Sequence, residues 1–306
     1  MVYTLPPSLL AQYERFSLYN SPYRAHDSGC AIDLYPGTLR DGRTTVAPSP
    51  VSGTVIETRT VTAPSKPYAP PHDHLILIEC DGPGGLAGLT ARILHVDPTV
   101  MAGDRVDRGD SLGTLVRAGF FAPWVDNHLH VGFRPPDRNP HRASGSLPVE
   151  PGIDLRPLAW DGTGTVVATG ATYAVLDSPM HPAPGDSFVG VGVRAAIGAP
   201  SSEDQRADGG CVLDGGLPHY DGGGLLGCPL SIEDHVPVSL NGDRLGVADG
   251  RTITWDELAV TVNGEPITGL SLFCARDSGF GVKLICPDRS IGVGDSVRVR
   301  IVPGAD

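Results

Sequence analysis

Apolar and polar residues alternate in short runs along most of this chain, and turn-forming pairs such as Asp-Gly, Asn-Gly, Gly-Gly and Pro-Gly break the runs. Alternation with a period of two marks a half-buried strand, because successive side chains leave a strand on opposite faces. Asn127-His128-Leu129-His130-Val131-Gly132-Phe133 has this pattern, and Arg134-Pro135-Pro136 ends it. Ala31-Ile32-Asp33-Leu34-Tyr35 has it too, with Asp33 on one face and Ile32 and Leu34 on the other. Leu75 to Cys80 reads as a strongly apolar strand, and Thr90 to His95 as a strand that closes on a histidine. Further on, strands are expected at Gly164 to Ala168, Tyr173 to Leu176, Ser187 to Val193, Val236 to Asn241, Leu258 to Val262, Gly281 to Ile285 and Ser296 to Val302. Apolar residues at helical spacing occur convincingly only from Ser8 to Phe16. The pattern therefore predicts a mostly β protein.

A length of 306 residues suggests two domains. From Arg134 to Ile153 the composition shifts to Pro, Arg, Asn and Ser, which predicts a first domain over 1–140, a linker over 141–155 and a second β domain, a sandwich or small barrel, over 156–306. The net charge is -12, Asp far outnumbers Glu, and Lys66 and Lys283 are the only lysines. Such a surface repels nucleic acid and anionic lipid, so neither is an expected partner. The Asp-rich, Lys-poor balance resembles that of proteins from salt-accumulating archaea. None of the cysteines Cys30, Cys80, Cys211, Cys228, Cys274 and Cys286 forms a C-x-x-C pair, which argues against a cysteine zinc site. With no basic-then-apolar leader at Met1 to Pro7 and no membrane-spanning run, the expectation is a cytoplasmic protein with reduced thiols. The sequence leaves the oligomeric state open.

Candidate chemistry gathers in the first half. His128 and His130 are two apart on one strand and project together, an arrangement suited to metal binding or proton transfer. His26 on a Gly-containing segment and Asp33 on the next strand form a plausible half-site for Zn²⁺, which accepts mixed nitrogen and oxygen ligands. His72 and His74 make a rival pair, expected to be more exposed because they follow Pro70-Pro71. Phe120, Phe121 and Trp124 sit on the loop leading into the His128 strand, where aromatics can line a cleft. In the second half, Leu217 to Gly224 reads as a flexible turn.

The order of these motifs resembles the lysostaphin-type (LytM-like) zinc endopeptidases over about residues 20 to 135. The matching parts are an early His and Asp (His26, Asp33), a histidine closing a strand (His95), a two-glycine turn (Gly103-Asp104-Arg105-Val106-Asp107-Arg108-Gly109-Asp110-Ser111-Leu112-Gly113) and the His128-Leu129-His130-Val131 strand. The resemblance implies an antiparallel β-sheet of barrel-sandwich-hybrid type and one catalytic Zn²⁺ per chain. Its ligands would be His26, Asp33 and His130, and its catalytic residues His95 and His128. It also implies hydrolysis of a peptide bond, in a peptide or peptide-containing polymer, by a metal-activated water. The chain departs from the family in spacing its first ligand pair seven apart, so that the family's first-ligand position falls on Gly29, and in its aromatic loop before His128. A catalytically degenerate, metal- or ligand-binding module is the alternative. A lipoyl or biotinyl carrier shares similar turns, but Lys66 lies in a Pro-rich loop without the flanking residues a carrier needs.

Overall fold

The computed structural model describes residues 2–40, 43–81, 85–196, 210–228, 230 and 235–304. Its regular structure is nearly all β, in two compact units: residues 1–16 with 23–153, and residues 17–22 with 154–306.

The main sheet of the first unit is antiparallel. Neighbour by neighbour it runs through Arg105–Val106, Gly53–Thr62, His72–Cys80, Thr90–Leu94, Leu129–Arg134 and Ile32–Tyr35. Leu129, Val131 and Phe133 are fully buried on one face of their strand, as the alternation requires. A second, three-stranded sheet joins Val46–Pro48, Ser111–Leu115 and Val96–Pro98. The chain passes from the first sheet to the second at His95, whose φ of 73° lies in the left-handed region that a non-glycine residue rarely adopts. Tyr3–Leu5 and Val149–Pro151 pair in parallel.

Two expectations are corrected in this unit. The stretch from Ser8 to Phe16 is not one helix: a single turn at Pro7–Leu10 is followed by a strand at Arg15–Ser17. Leu9, Leu10, Tyr13 and Phe16 are all buried, but Tyr13 is held by its hydroxyl, which donates to the Pro48 carbonyl at 2.8 Å, and Arg15 by a buried ion pair with Asp126 at 3.0 Å. Tertiary contacts replace the helical face. The boundary between the units, between residues 153 and 154, falls inside the linker expected at 141–155, but that stretch is not unstructured throughout, since it contains the strand Val149–Pro151. Ahead of that strand, the buried Arg134 guanidinium donates to the carbonyls of Asn139 (2.7 Å), Arg142 (2.6 Å) and Ser144 (2.8 Å). Composition alone does not reveal such a clasp.

The second unit contains a closed six-stranded barrel. Its strands pair antiparallel in the order Phe188–Ala195, Cys211–Leu217, Gly222–Leu226, Thr252–Trp255, Asp243–Asp249, His235–Leu240 and back to Phe188–Ala195. Further antiparallel pairings continue through Gly269–Leu272, Lys283–Ile285, Tyr173–Leu176, Thr163–Gly170, Ser296–Pro303 and Leu258–Val262. Residues 17–22 are part of this unit, and Asp214, fully buried, binds them. Its carboxylate accepts the Ser17 hydroxyl at 2.6 Å and the backbone N–H groups of Leu18 at 2.6 Å and Tyr19 at 3.1 Å.

Leu217 to Gly224 turns at residues 218–221, and Leu217 and residues 222–224 belong to the flanking strands. Its glycines reflect packing, since a Cβ on Gly224 would meet the Tyr19 ring at 2.1 Å and one on Gly223 the Trp255 ring at 2.4 Å. The expectation of reduced thiols is also corrected, because Cys211 and Cys228 form a disulfide. Cys211 opens one strand and Cys228 lies two residues past the end of its antiparallel neighbour, with Cα atoms 5.0 Å apart, within the span a disulfide bridges. Among the described residues no helix is long and apolar enough to cross a membrane.

Candidate metal centre

Leu129–Arg134 lies between Ile32–Tyr35 and Thr90–Leu94, and the register sets His130 directly opposite Asp33. Directly opposed residues of an antiparallel pair share a face with Cβ atoms about 5 Å apart, so the His130 Nδ1 to Asp33 Oδ1 distance of 2.9 Å follows from the pairing. His128 precedes the strand by one residue and turns to the same carboxylate, its Nε2 3.4 Å from Asp33 Oδ2.

His26 arrives differently. It sits in a single helical turn, Arg24–Asp27, closed by Cys30 N–H donating to the Ala25 carbonyl at 2.8 Å. Gly29 follows with φ 61°, a conformation that glycine adopts without strain. Seven residues drawn out would span about 23 Å. Coiled through this turn they bring His26 Nε2 to 3.4 Å from Asp33 Oδ1 and 3.2 Å from His130 Nδ1. The long spacing is therefore compatible with convergence.

The three donor atoms, His26 Nε2, Asp33 Oδ1 and His130 Nδ1, form a triangle with sides of 3.2, 3.4 and 2.9 Å. A tetrahedral Zn²⁺ with bonds of about 2.0–2.1 Å places its ligand atoms about 3.3 Å apart. Both the size of the triangle and its N, N, O composition fit such an ion. This trio is also the metal-capable group among the described residues. Burial alone would push the Asp33 carboxyl up, but the imidazoles of His128 and His26 and hydrogen bonds from His130 and His26 hold it well below its ordinary value. Burial pushes His128 and His130 down to about 4, so both rings are neutral near pH 7, the form in which imidazole binds metal or accepts a proton.

The tautomer of His128 follows from its partner. His128 Nδ1 lies 2.9 Å from the Asp126 carbonyl, which only accepts, so Nδ1 carries the hydrogen and Nε2 faces Asp33 as a lone pair. Arg15 holds Asp126 from behind and lies over the Tyr35 ring, 4.6 Å from its centroid; that ring in turn packs 4.8 Å from His128. His95 is buried, its ring 5.2 Å from that of His128 and 5.8 Å from that of His130. Phe121 packs against both, at 4.6 Å from His95 and 4.5 Å from His128. Phe120 and Trp124 are partly exposed beside it. Of the five site residues His130 is the partly open one, with its side chain 13% exposed, which puts solvent access on its side.

The structure thus brings together His26, Asp33, His95, His128 and His130. It does not bring in the rival pair. Asp73, between His72 and His74, is fully buried, so strand alternation turns His72 outward, and His74 lies 3.7 Å from the exposed Asp97. Sequence reasoning missed Asp73, Asp126, Arg15 and Tyr35 as supports of the site. For Asp73 a signal existed: a carboxylate placed between two histidines at the start of an apolar strand takes the face opposite to theirs.

Fold and site together define a two-domain β protein with a buried cluster of four histidines and an aspartate in its first domain. Family models match both domains in tandem: domain of unknown function (DUF8155) N-terminal domain over residues 4–151, and its C-terminal domain over residues 156–302. The chain belongs to this family. No curated protein matches the chain.

Proposed function

We propose that the N-terminal domain is a zinc-dependent metallopeptidase, in which His26, Asp33 and His130 hold one Zn²⁺ and His95 and His128 handle protons. The observation that carries the reading is the donor triangle of zinc dimensions beside two further buried imidazoles that the triangle does not need. Three protein ligands leave a tetrahedral ion one position for water or substrate, the pattern of a catalytic rather than a structural site. Bound there, Zn²⁺ supplies a Lewis acid that polarises a scissile carbonyl and brings the pKa of water toward about 7. His128, with Nε2 free of hydrogen, accepts a proton from attacking water and returns it to the leaving amine. His95 lies close enough to share that traffic. Asp33 keeps its charge while buried and offsets that of the ion. Phe120, Phe121 and Trp124 offer apolar contact to side chains flanking the cut bond. The motif order shared with lysostaphin-type endopeptidases supports the same reading.

The test is elemental analysis of protein purified without added metal, followed by assay against glycine-containing peptides in low and high salt. One zinc per chain is expected. His130→Ala should lose it, while His72→Ala and His74→Ala should keep it. His128→Ala should keep it and lose hydrolysis by roughly a hundredfold. A folded, metal-free wild type overturns the zinc assignment. A zinc-loaded wild type that cuts nothing leaves a metal-binding module.

A further inference from the structure

Buried against His95, on the side chain's Nδ1 edge, is a carboxylate that neither the ligand triangle nor the proton step above employs. Asp73 is fully buried, and its Oδ2 lies 2.5 Å from His95 Nδ1. Its Oδ1 accepts the His74 backbone N–H at 2.7 Å. Both oxygens are therefore committed, and the carboxylate cannot rotate away. The backbone at His95 is bent to meet it: the residue takes its left-handed φ of 73° where one sheet gives way to the next, while its N–H donates to the His74 carbonyl at 3.3 Å and its carbonyl accepts from Val116. A non-glycine residue in that region is strained and persists where surrounding contacts enforce it.

We infer that Asp73 is the positioning residue of the site: it fixes His95 as the Nδ1–H tautomer, leaving Nε2 as the ring's proton-accepting atom. The inference rests on the peptidase reading for its catalytic consequence but not for the tautomer itself. An ionised carboxylate can only accept, so the hydrogen of the short contact belongs to His95 Nδ1. The same logic orients the histidine of hydrolytic triads, where a buried aspartate sets the tautomer without touching substrate. Phe121 against the ring, 4.6 Å away, closes off one side and leaves the ring little room to turn.

The substitution Asp73→Asn discriminates sharply because of the second hydrogen bond. The His74 N–H demands an acceptor, so the amide oxygen takes the place of Oδ1 and the NH₂ faces His95 Nδ1. An NH₂ can only donate, so the ring must move its hydrogen to Nε2. The side chain keeps its size, and zinc is held by other residues.

The experiment is long-range ¹H–¹⁵N correlation of histidine rings in the purified full-length protein, with His95 assigned by its absence in His95→Gln. Zinc content and steady-state kinetics are measured on the same samples. The expected result is Nδ1–H at His95 in the wild type and Nε2–H in Asp73→Asn, with zinc retained. kcat should fall by at least about a hundredfold while KM stays within about threefold. Nε2–H in the wild type, or an unchanged tautomer in Asp73→Asn, overturns the assignment, and the wild-type spectrum gives that answer even if the variant does not fold. A tautomer switch in a protein that cuts no peptide upholds the positioning role and overturns only the peptidase reading. A switch with unchanged kcat overturns the catalytic consequence.

Discussion

Asp33 carries the electrostatics of the site. A buried carboxylate without partners is expensive, and this one gathers contacts from three imidazoles, at 2.9 Å to His130 and 3.4 Å to both His26 and His128. Those contacts, and not solvent, keep it charged. The rings of His128 and His130, neutral near pH 7, stand beside a fixed negative charge, a combination suited to a cation. An imidazole in the second domain obeys the same physics with a different result. Burial pushes His219 down to about 4, while in the unfolded chain a histidine titrates near about 6.5. Between those values the unfolded state binds the extra proton, so the stability tied to this residue is full above about pH 6.5 and is lost as pH falls toward 4. Thermal melts of wild type and His219→Gln from pH 7 to pH 4 check this. The wild type should lose stability more steeply across that window, and parallel profiles would refute it.

At the scale of elements, strand alternation is what made the site readable. His128 and His130 two apart, Asp33 between Ile32 and Leu34, and His95 at the end of an apolar run all announce their faces in sequence, and all five residues of the expected site do meet. Asp73 was hidden by its company, since the eye follows the histidines on either side. The barrel strand Gly222–Leu226 was hidden by glycines placed there for the rings of Trp255 and Tyr19, a reason that exists only once the fold does. The clasp at Arg134 was hidden likewise. Three charge-assisted bonds to the carbonyls of Asn139, Arg142 and Ser144 tie down a stretch whose Pro, Arg and Ser content suggests a loose linker. Arg138 and Arg142 are exposed, yet trypsin needs the backbone around them to open locally. Arg134→Met should speed cleavage at those two sites by at least about tenfold, since each lost bond to a charged donor is worth about 1.5 kcal/mol or more. Equal rates in variant and wild type would mean that the clasp does not govern this segment.

At the scale of the whole molecule, the two family matches divide the chain at a point in sequence, after residue 151 and before residue 156, whereas the structure assigns residues 17–22 to the second unit. One cut therefore does not yield two complete units. A fragment of residues 154–306 would keep Asp214 but lose the Ser17 hydroxyl and the N–H groups of Leu18 and Tyr19 that it binds, leaving a buried carboxylate short of donors. It would also lose Asn20, whose side-chain amide donates to the Ser271 hydroxyl at 2.8 Å and the Leu272 carbonyl at 2.9 Å, and the Tyr19 ring over Gly224. Stranding a buried charged group costs roughly 2–3 kcal/mol, a large part of a domain's margin. The fragment should melt several degrees below the corresponding transition of the full chain. A synthetic peptide of residues 15–24 should restore part of the difference in proportion to its concentration, because a ligand of the folded state stabilises it by mass action. The control is the same fragment with Asp214→Ala, on which the peptide should have little effect. A fragment as stable as the parent transition, or a peptide effect that survives Asp214→Ala, would mean that residues 17–22 are a passenger on the second unit and that Asp214 is not what holds them.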